Sequence, residues 1–341
     1  MMARGVLRRV GLRDTLREDE PVGDSLPNLP DEESLASGLR SALGGVGSAG
    51  VSVVERVVNP HASTFPSEVV TCRVEGGEDL RLFCKYGAGG HDAHGHRGGV
   101  GYEAEVYRRV LADARVAVPR FYGAAAAGPA GEVWLAIGYV EGCLRLRDSR
   151  DLGHWEEAAA WSGRFHAEQE GREREESLSF LIEYDAAYYA GWARRTAENA
   201  AALDLNLPWL ADLCGRAEAA LVGLLEAPRT VIHGEYYPKN LLVNEGTIYP
   251  VDWESAAIGR GEIDLATLTD RCDPEIVFRC ERAYKQARWP EGAPADFSRA
   301  LELARLYVQL RWLGAEPGKK LRRRAYRYDE VRALGEGLGL I

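Results

Sequence analysis

The amino-acid sequence predicts an α+β fold in two lobes: a small antiparallel β-sheet carrying one helix, then a mostly α-helical half. Three observations support this. Three β-rich runs follow one another between residues 51 and 85, the last two joined by Gly76-Gly77. After Gly142 the apolar residues recur at helical spacing. One hairpin-like interval, residues 240–252, interrupts those helices. The chain has 341 residues, 46% hydrophobic and 28% charged, enough for a core divided between two lobes.

Residues 1–45 read as an N-terminal extension. Pro21, Pro27 and Pro30 among Gly, Asp and Ser mark a linker. Asp31 then starts a short helix with Leu35, Leu39 and Leu43 on one face, and Gly44 can end it. The first lobe is expected over 46–140. Its strands hold Val51 to Val58, Val69 to Val74 and Leu80 to Lys85. A Gly-rich loop, Gly87 to Gly101, leads into a helix from about Tyr102 to Ala112. Ala124 to Ala130 reads as a turn and Val133 to Val140 as a further strand. The second lobe is expected over 141–341. Trp155, Ala158 and Phe165 share a helix face, as do Leu181, Tyr184, Tyr188 and Trp192, and then Leu210, Leu213, Leu221 and Leu224. Helices are expected again over Glu275 to Ala287 and Phe297 to Leu313.

The formal net charge of −10 argues against a broad nucleic-acid footprint, which needs a basic surface. It leans toward cationic ligands by steering. No apolar stretch reaches the length of a membrane span, and no membrane partner is expected. Arg4, Arg8, Arg9 and Arg13 read as a frayed, solvated helix, with a basic surface helix that docks a protein partner or a membrane as the alternative. Lys319, Lys320, Arg322, Arg323 and Arg324 read as a solvated face. The six cysteines form no C-x-x-C pair and suit reduced thiols in a cytoplasmic protein.

The chemistry concentrates in His233-Gly234-Glu235-Tyr236-Tyr237-Pro238-Lys239-Asn240 and Val251-Asp252-Trp253-Glu254. Leu241 to Val243 and Ile248-Tyr249, separated by Asn244-Glu245-Gly246, predict a hairpin. A hairpin brings its ends together, so Asn240 and Asp252 should converge. An amide oxygen and a carboxylate at one point suit Mg²⁺, which favours few protein oxygens plus substrate phosphates. Glu235 could then orient a hydroxyl, the arrangement phosphoryl transfer needs.

Lys85, at the end of a strand, suits nucleotide phosphates as a compact charge. It needs an acid to hold it. Glu103 on the following helix is preferred because Tyr107 and Val110 share its face; Glu105 is the alternative. Ser63, Thr64 and Ser67, in the turn between the first two strands, could cradle phosphates with the backbone N–H groups beside them. His91-Asp92-Ala93-His94-Gly95-His96 has the residue types of a metal cluster, but zinc sites need rigid supports, and a mobile, solvated loop is the preferred reading. Glu254 is either a further metal ligand or a backbone hydrogen-bond acceptor. Tyr184, Tyr188, Tyr189 and Trp192 are read mostly as core, with a role in holding a cationic or apolar acceptor as the alternative.

These residues resemble the aminoglycoside phosphotransferase and choline kinase group, which shares the protein-kinase-like fold. The resemblance rests on His233-Gly234-Glu235 with Asn240, on Val251-Asp252-Trp253-Glu254, on Asp264-Leu265-Ala266 and on Phe165-His166-Ala167, and covers roughly residues 50 to 275. It implies a bilobal kinase-like fold with a nucleotide-binding first lobe and a helical second lobe holding the catalytic loop and acceptor site. Asn240 and Asp252 would bind Mg²⁺. Lys85 would contact the phosphates of ATP or GTP and pair with Glu103. The hinge at Gly138-Tyr139-Val140 would receive the base through its backbone. Asp264 and His233 would brace the loop. The departure is Glu235, where the family usually has Asp. Its extra methylene either is absorbed by the loop, leaving an active enzyme, or costs the chemistry. The expected activity is transfer of a γ-phosphate to a hydroxyl of a small molecule such as an aminoglycoside, an amino alcohol or a secondary metabolite. The alternatives are a nucleotide-binding pseudokinase or scaffold, and a kinase acting on a peptide during natural-product biosynthesis.

Overall fold

A computed structural model describes residues 29–44, 50–59, 65–87, 93–127, 132–203, 205, 207–226, 228–315 and 326–341. The expectations for Arg4 to Arg13, Ser63, Thr64, His91, Asp92 and Lys319 to Arg324 lie outside these residues.

The first lobe is one antiparallel sheet built from β1 (Val51–Val58), β2 (Ser67–Val74), β3 (Asp79–Gly87), β4 (Phe121–Ala127) and β5 (Glu132–Gly138), in the order β1-β2-β3-β5-β4. Period-two alternation along β3 sends Leu82, Cys84 and Tyr86 to one face. There they meet Leu35, Leu39 and Leu43 of the helix α1 (Glu32–Ala42) and the C-cap following it. Asp31 caps α1 by accepting from the Ser34 N–H at 2.8 Å. The helix read as part of an extension is thus packed into the sheet. The opposite face carries α2 (Gly99–Val106), which continues into a π-helical turn over Tyr107–Leu111. Val100, Ala104 and Tyr107 there join Leu135 and Ile137 of β5 in the main core.

The second lobe is helical: α3 (Leu152–Gln169), α4 (Ala186–Ala202), α5 (Pro208–Leu221), α6 (Glu262–Leu268), α7 (Pro274–Arg288), α8 (Phe297–Ala315) and α9 (Tyr326–Gly337). Its core buries Trp161, Phe165, Trp192 and Tyr307, each side chain contributing roughly 2–3 kcal/mol on transfer from water. Short strands sit between the helices. The order β10 (Thr247–Pro250), β9 (Leu241–Asn244), β6 (Leu144–Arg145) forms one small sheet; β7 (Ile182–Glu183), β11 (Ala257–Gly259), β8 (Thr230–Ile232) forms another. The fold is the bilobal α+β architecture of protein-kinase-like proteins.

Three expectations are corrected. Ala124 to Ala127 is strand, not turn, pairing Ala124 with Leu135 and Ala127 with Glu132. A run of alanines carries little β signal of its own, and pairing with β5 decides. Leu181 and Tyr184 precede α4 rather than share its face, although both are buried. The first-lobe helix starts at Gly99, three residues before the expected Tyr102.

Gly123 has φ +155° and lies where α1 ends; a Cβ there would overlap the Ala42 carbonyl. Gly123→Ala is therefore expected to lower stability by roughly 2–3 kcal/mol, read from the urea midpoint. Gly44→Ala, with nothing near the added atom, should shift it by less than about 0.5 kcal/mol.

Candidate active site

The hairpin β9–β10 turns through Glu245 (φ +47°) and Gly246 (φ +79°), two positive φ values that match the twist of the paired strands. The Val251 N–H donates to the Asn240 carbonyl at 2.9 Å, so the ladder continues one step past the strands. This sets Asn240 beside Val251, with Asp252 the next residue. The Asn240 Nδ2 donates to the Glu235 carbonyl at 3.0 Å, which orients the amide and leaves its oxygen for another partner. Asp252 has φ +70°, an uncommon conformation for a residue with a Cβ.

Lys85 lies on the α2 face of β3, opposite Cys84, and is buried. Its Nζ donates to Glu103 Oε2 at 2.7 Å and to Asp252 Oδ1 at 2.6 Å, and is 3.8 Å from Glu254 Oε2. Burial works against the ammonium, but Asp252, Glu103 and Glu254 outweigh it and hold the pKa well above its ordinary value. Glu103 Oε1 also accepts from the Trp253 N–H at 3.1 Å. One carboxylate thus joins the first-lobe helix to the lysine and to the segment after Asp252. Glu105 faces outward and pairs with Arg108 and Arg109.

The loop holding Glu235 hangs from Asp264 at the start of α6. Asp264 Oδ2 accepts from the His233 N–H at 2.7 Å and lies 3.1 Å from His166 Nε2; Oδ1 accepts from the Gly234 N–H at 3.0 Å. Because the Val251 carbonyl can only accept, His233 Nε2 donates to it at 3.0 Å, and Nδ1 receives the Glu235 N–H at 3.3 Å. Gly234 has φ +78°, and a Cβ there would overlap the Ser255 carbonyl.

Glu235 is buried in a clamp of cations. Arg97 Nη2 donates to Oε1 and Oε2 at 3.0 and 3.1 Å, and Arg311 Nη1 donates to Oε1 at 3.1 Å. Burial opposes the charge, yet the Arg97 and Arg311 guanidinium groups hold the carboxyl well below the usual range. Arg311 also donates to His96 Nε2 at 3.0 Å and to the Tyr237 hydroxyl. An arginine only donates, so His96 Nε2 is the accepting nitrogen and Nδ1–H points to the Tyr188 oxygen at 2.7 Å.

His96 is buried at 1% exposure, which corrects the mobile, solvated reading at this residue: the Tyr184 and Tyr188 hydroxyls and Arg311 surround it. Among the described residues, no group of three or more His, Cys, Asp or Glu side chains is arranged to hold a metal ion. Tyr184, Tyr188, Tyr189 and Trp192 are all buried. Glu254 accepts the Gly98 N–H at 2.8 Å through its backbone carbonyl, while its buried side-chain Oε2 has no hydrogen-bond partner. Burial pushes this carboxyl up to about 7. The Ser67 hydroxyl accepts from Asn59 Nδ2 at 3.0 Å and is tied into its own turn. At the hinge, the Gly138 and Tyr139 N–H groups donate to the Arg120 and Arg81 carbonyls at 2.8 and 3.0 Å, and Val140 follows. All six cysteines are free thiols.

Sequence reasoning missed Arg97 and Arg311, and placed His96 in a solvated loop rather than beside Arg311. A signal existed for Arg311, a charge inside the apolar run Leu306-Tyr307-Val308-Gln309-Leu310-Arg311-Trp312-Leu313. None existed for Arg97, whose neighbours are glycines and histidines.

A lysine–glutamate pair in a small sheet lobe, facing an acid-bearing hairpin in a helical lobe, defines a kinase-type cleft. The chain belongs to the phosphotransferase enzyme family, whose model matches residues 92–303. Among solved structures, a Thermobifida fusca protein assigned as a fructosamine-3-kinase is similar at 20% identity and TM-score 0.59, over 88% of this chain and 98% of that one. A choline kinase from Cryptosporidium parvum Iowa II is similar at 14% identity and TM-score 0.59, over 91% and 98%. A macrolide 2'-phosphotransferase from Brachybacterium faecium is similar at 16% identity and TM-score 0.53, over 90% and 97%. At these identities the likeness is one of fold. No curated protein matches in sequence. Among the described residues, no helix is long and apolar enough to cross a membrane.

Burial and then Arg311 push His96 down to about 4, against an ordinary value near 6.5 in the unfolded chain. Between those values the unfolded chain binds the extra proton, so stability rises with pH. The contribution is complete above about pH 6.5 and is lost as pH falls toward 4, roughly 3 kcal/mol in all. Urea unfolding at pH 7 and 4.5 should show this loss in the parent protein and a flatter profile in His96→Gln.

Proposed function

We propose that this protein transfers the γ-phosphoryl group of ATP or GTP to a hydroxyl of a small molecule, in the class that includes aminoglycoside-like compounds, amino alcohols and secondary metabolites, and that it works in the cytoplasm. The observation that carries this is Asp252, just after the hairpin, hydrogen-bonded to Lys85 of the first lobe, with Glu235 on the loop before the hairpin. In the step proposed, the bond from the γ-phosphorus to the nucleoside diphosphate oxygen breaks and a bond from the acceptor oxygen forms. The acceptor's proton passes to the Glu235 carboxylate and then to solvent. A carboxylate held so firmly ionised is a weak base. That suffices where the transition state is loose and the acid chiefly orients the hydroxyl. The two guanidinium groups fix the longer side chain of Glu235, where the family usually has Asp.

The donor set fits Mg²⁺. Asn240 offers its amide oxygen and Asp252 a carboxylate, both hard ligands, and the buried Glu254 Oε2, 3.8 Å from the same Lys85 Nζ that binds Asp252, has no hydrogen-bond partner of its own. Asn240 and Asp252 would hold the ion, which when bound neutralises charge on the phosphates. Lys85 would exchange part of its contact with Asp252 for nucleotide oxygens, remaining held by Glu103.

One observation favours a second reading, a nucleotide-binding scaffold without turnover: both oxygens of Glu235 already accept arginine N–H groups. Release of nucleoside diphosphate during incubation with Mg²⁺, ATP and a panel of aminoglycosides and amino alcohols separates the two. For the enzyme, Asp252→Asn and Glu235→Gln should each lower kcat by about 10²-fold or more, and Lys85→Ala should also raise the KM for nucleotide. Binding without release for every acceptor supports the scaffold. Undiminished turnover in Asp252→Asn removes the metal assignment.

A further inference from the structure

Arg97, which precedes α2 in the first lobe, reaches two carboxylates of the second lobe. Its Nη2 reaches the acid proposed to orient the acceptor, at 3.0 and 3.1 Å, and its Nε lies 3.6 Å from Glu254 Oε1, two residues past Asp252. The residues on either side are anchored. His96 is fixed among Tyr184, Tyr188 and Arg311, and the Gly98 N–H is bonded to the Glu254 carbonyl. The guanidinium is therefore placed by anchored backbone on both flanks, between Glu235 and Glu254, the latter lying two residues past the proposed metal ligand Asp252. A phosphoryl group moving from a nucleotide held at Asp252 to a hydroxyl at Glu235 would pass beside it.

The two arginines on Glu235 are not equivalent. The Arg311 side chain is 5% exposed and is also bound to His96 and Tyr237, so it serves as a permanent partner of the carboxylate. The Arg97 side chain is 31% exposed. It can give up one carboxylate contact without leaving Glu235 as an unpaired buried charge. A planar fork of donors that can exchange a carboxylate for phosphoryl oxygens is what a guanidinium offers and an ammonium does not.

From this we infer that Arg97 is a catalytic residue supplied by the chain itself: its guanidinium meets the equatorial oxygens of the migrating phosphoryl group and stabilises their charge in the transition state. The inference rests on the phosphotransferase reading above and extends it to a residue outside the loop–hairpin pattern. An arginine in this position acts on the transition state far more than on bound nucleotide. A residue that merely positions Glu235 would matter only when an acceptor is present.

The test needs no acceptor. Binding of Mg²⁺·ADP is compared with binding of Mg²⁺·ADP plus aluminium fluoride, which mimics the phosphoryl group in flight, by calorimetry on the full chain. The parent protein should bind the fluoride complex at least about 10²-fold more tightly than the diphosphate alone. Arg97→Gln should lose most of that gain, about 30-fold or more, while binding Mg²⁺·ADP within about threefold of the parent, which also shows that the variant is folded. Arg97→Lys, charged but lacking the fork, should recover only part of it. A gain that is missing in the parent protein, or that survives in Arg97→Gln, overturns the role of Arg97 while leaving nucleotide binding in place. Absence of any Mg²⁺·ADP binding by the parent overturns the phosphotransferase reading and this inference with it.

Discussion

The cleft depends on the Lys85 ammonium and the carboxylates around it. Lys85 comes from β3, Glu103 from α2 and Asp252 from the segment after the hairpin, so one buried cation ties sheet, helix and second lobe together. Such a group is poor evidence for stability, since removing charges from water costs several kcal/mol per ion, and their attraction has to offset this. Its value lies in geometry. With Glu103 also bound to the Trp253 N–H, the three side chains can hold only a narrow range of lobe arrangements. An anion entering here would meet a cation already charged and held in place.

A second set of fixed charges sits across the cleft. Asp264 accepts from the backbone N–H groups of His233 and Gly234 and also meets His166 Nε2, and Arg97 and Arg311 hold the side chain of Glu235. Backbone and side chain of this acid are thus restrained separately. A longer acid needs more restraint than a shorter one because it has one more rotatable bond, and the two arginines supply it. The electrostatics are local: a chain with net charge −10 carries a cationic clamp at this point. Overall charge therefore says little about which groups would meet an acceptor.

The lobes, the hairpin and the pairing of Lys85 were legible because each rests on local chemistry: period-two valines, Asn/Gly at a tight turn, and glutamate on a helix face shared with Tyr107 and Val110. Ala124 to Ala127 was illegible as strand because alanine has no side chain to announce which partner it will have. The clamp on Glu235 was illegible for another reason. Arg97 and Arg311 lie 138 and 76 residues from it in the chain, and only the docking of α8 and of the segment before α2 brings them together. His96 misled in the opposite direction. Glycines around it suggested mobility, whereas the aromatic side chains that enclose it come from residues near position 184 and beyond.

The positive φ of Asp252 has an evolutionary corollary. L-residues in the left-handed region pay roughly 1–2 kcal/mol, and aspartate and asparagine are tolerated there better than other non-glycine residues. Glycine would relax the backbone but remove the oxygens, and bulkier acids would strain it. Substitution at this site is consequently narrowed by main-chain sterics as well as by any demand for a cation ligand. An aspartate-to-asparagine change here would keep the backbone conformation accessible while removing the charge and replacing one acceptor oxygen by a donor NH₂ at the contact with Lys85.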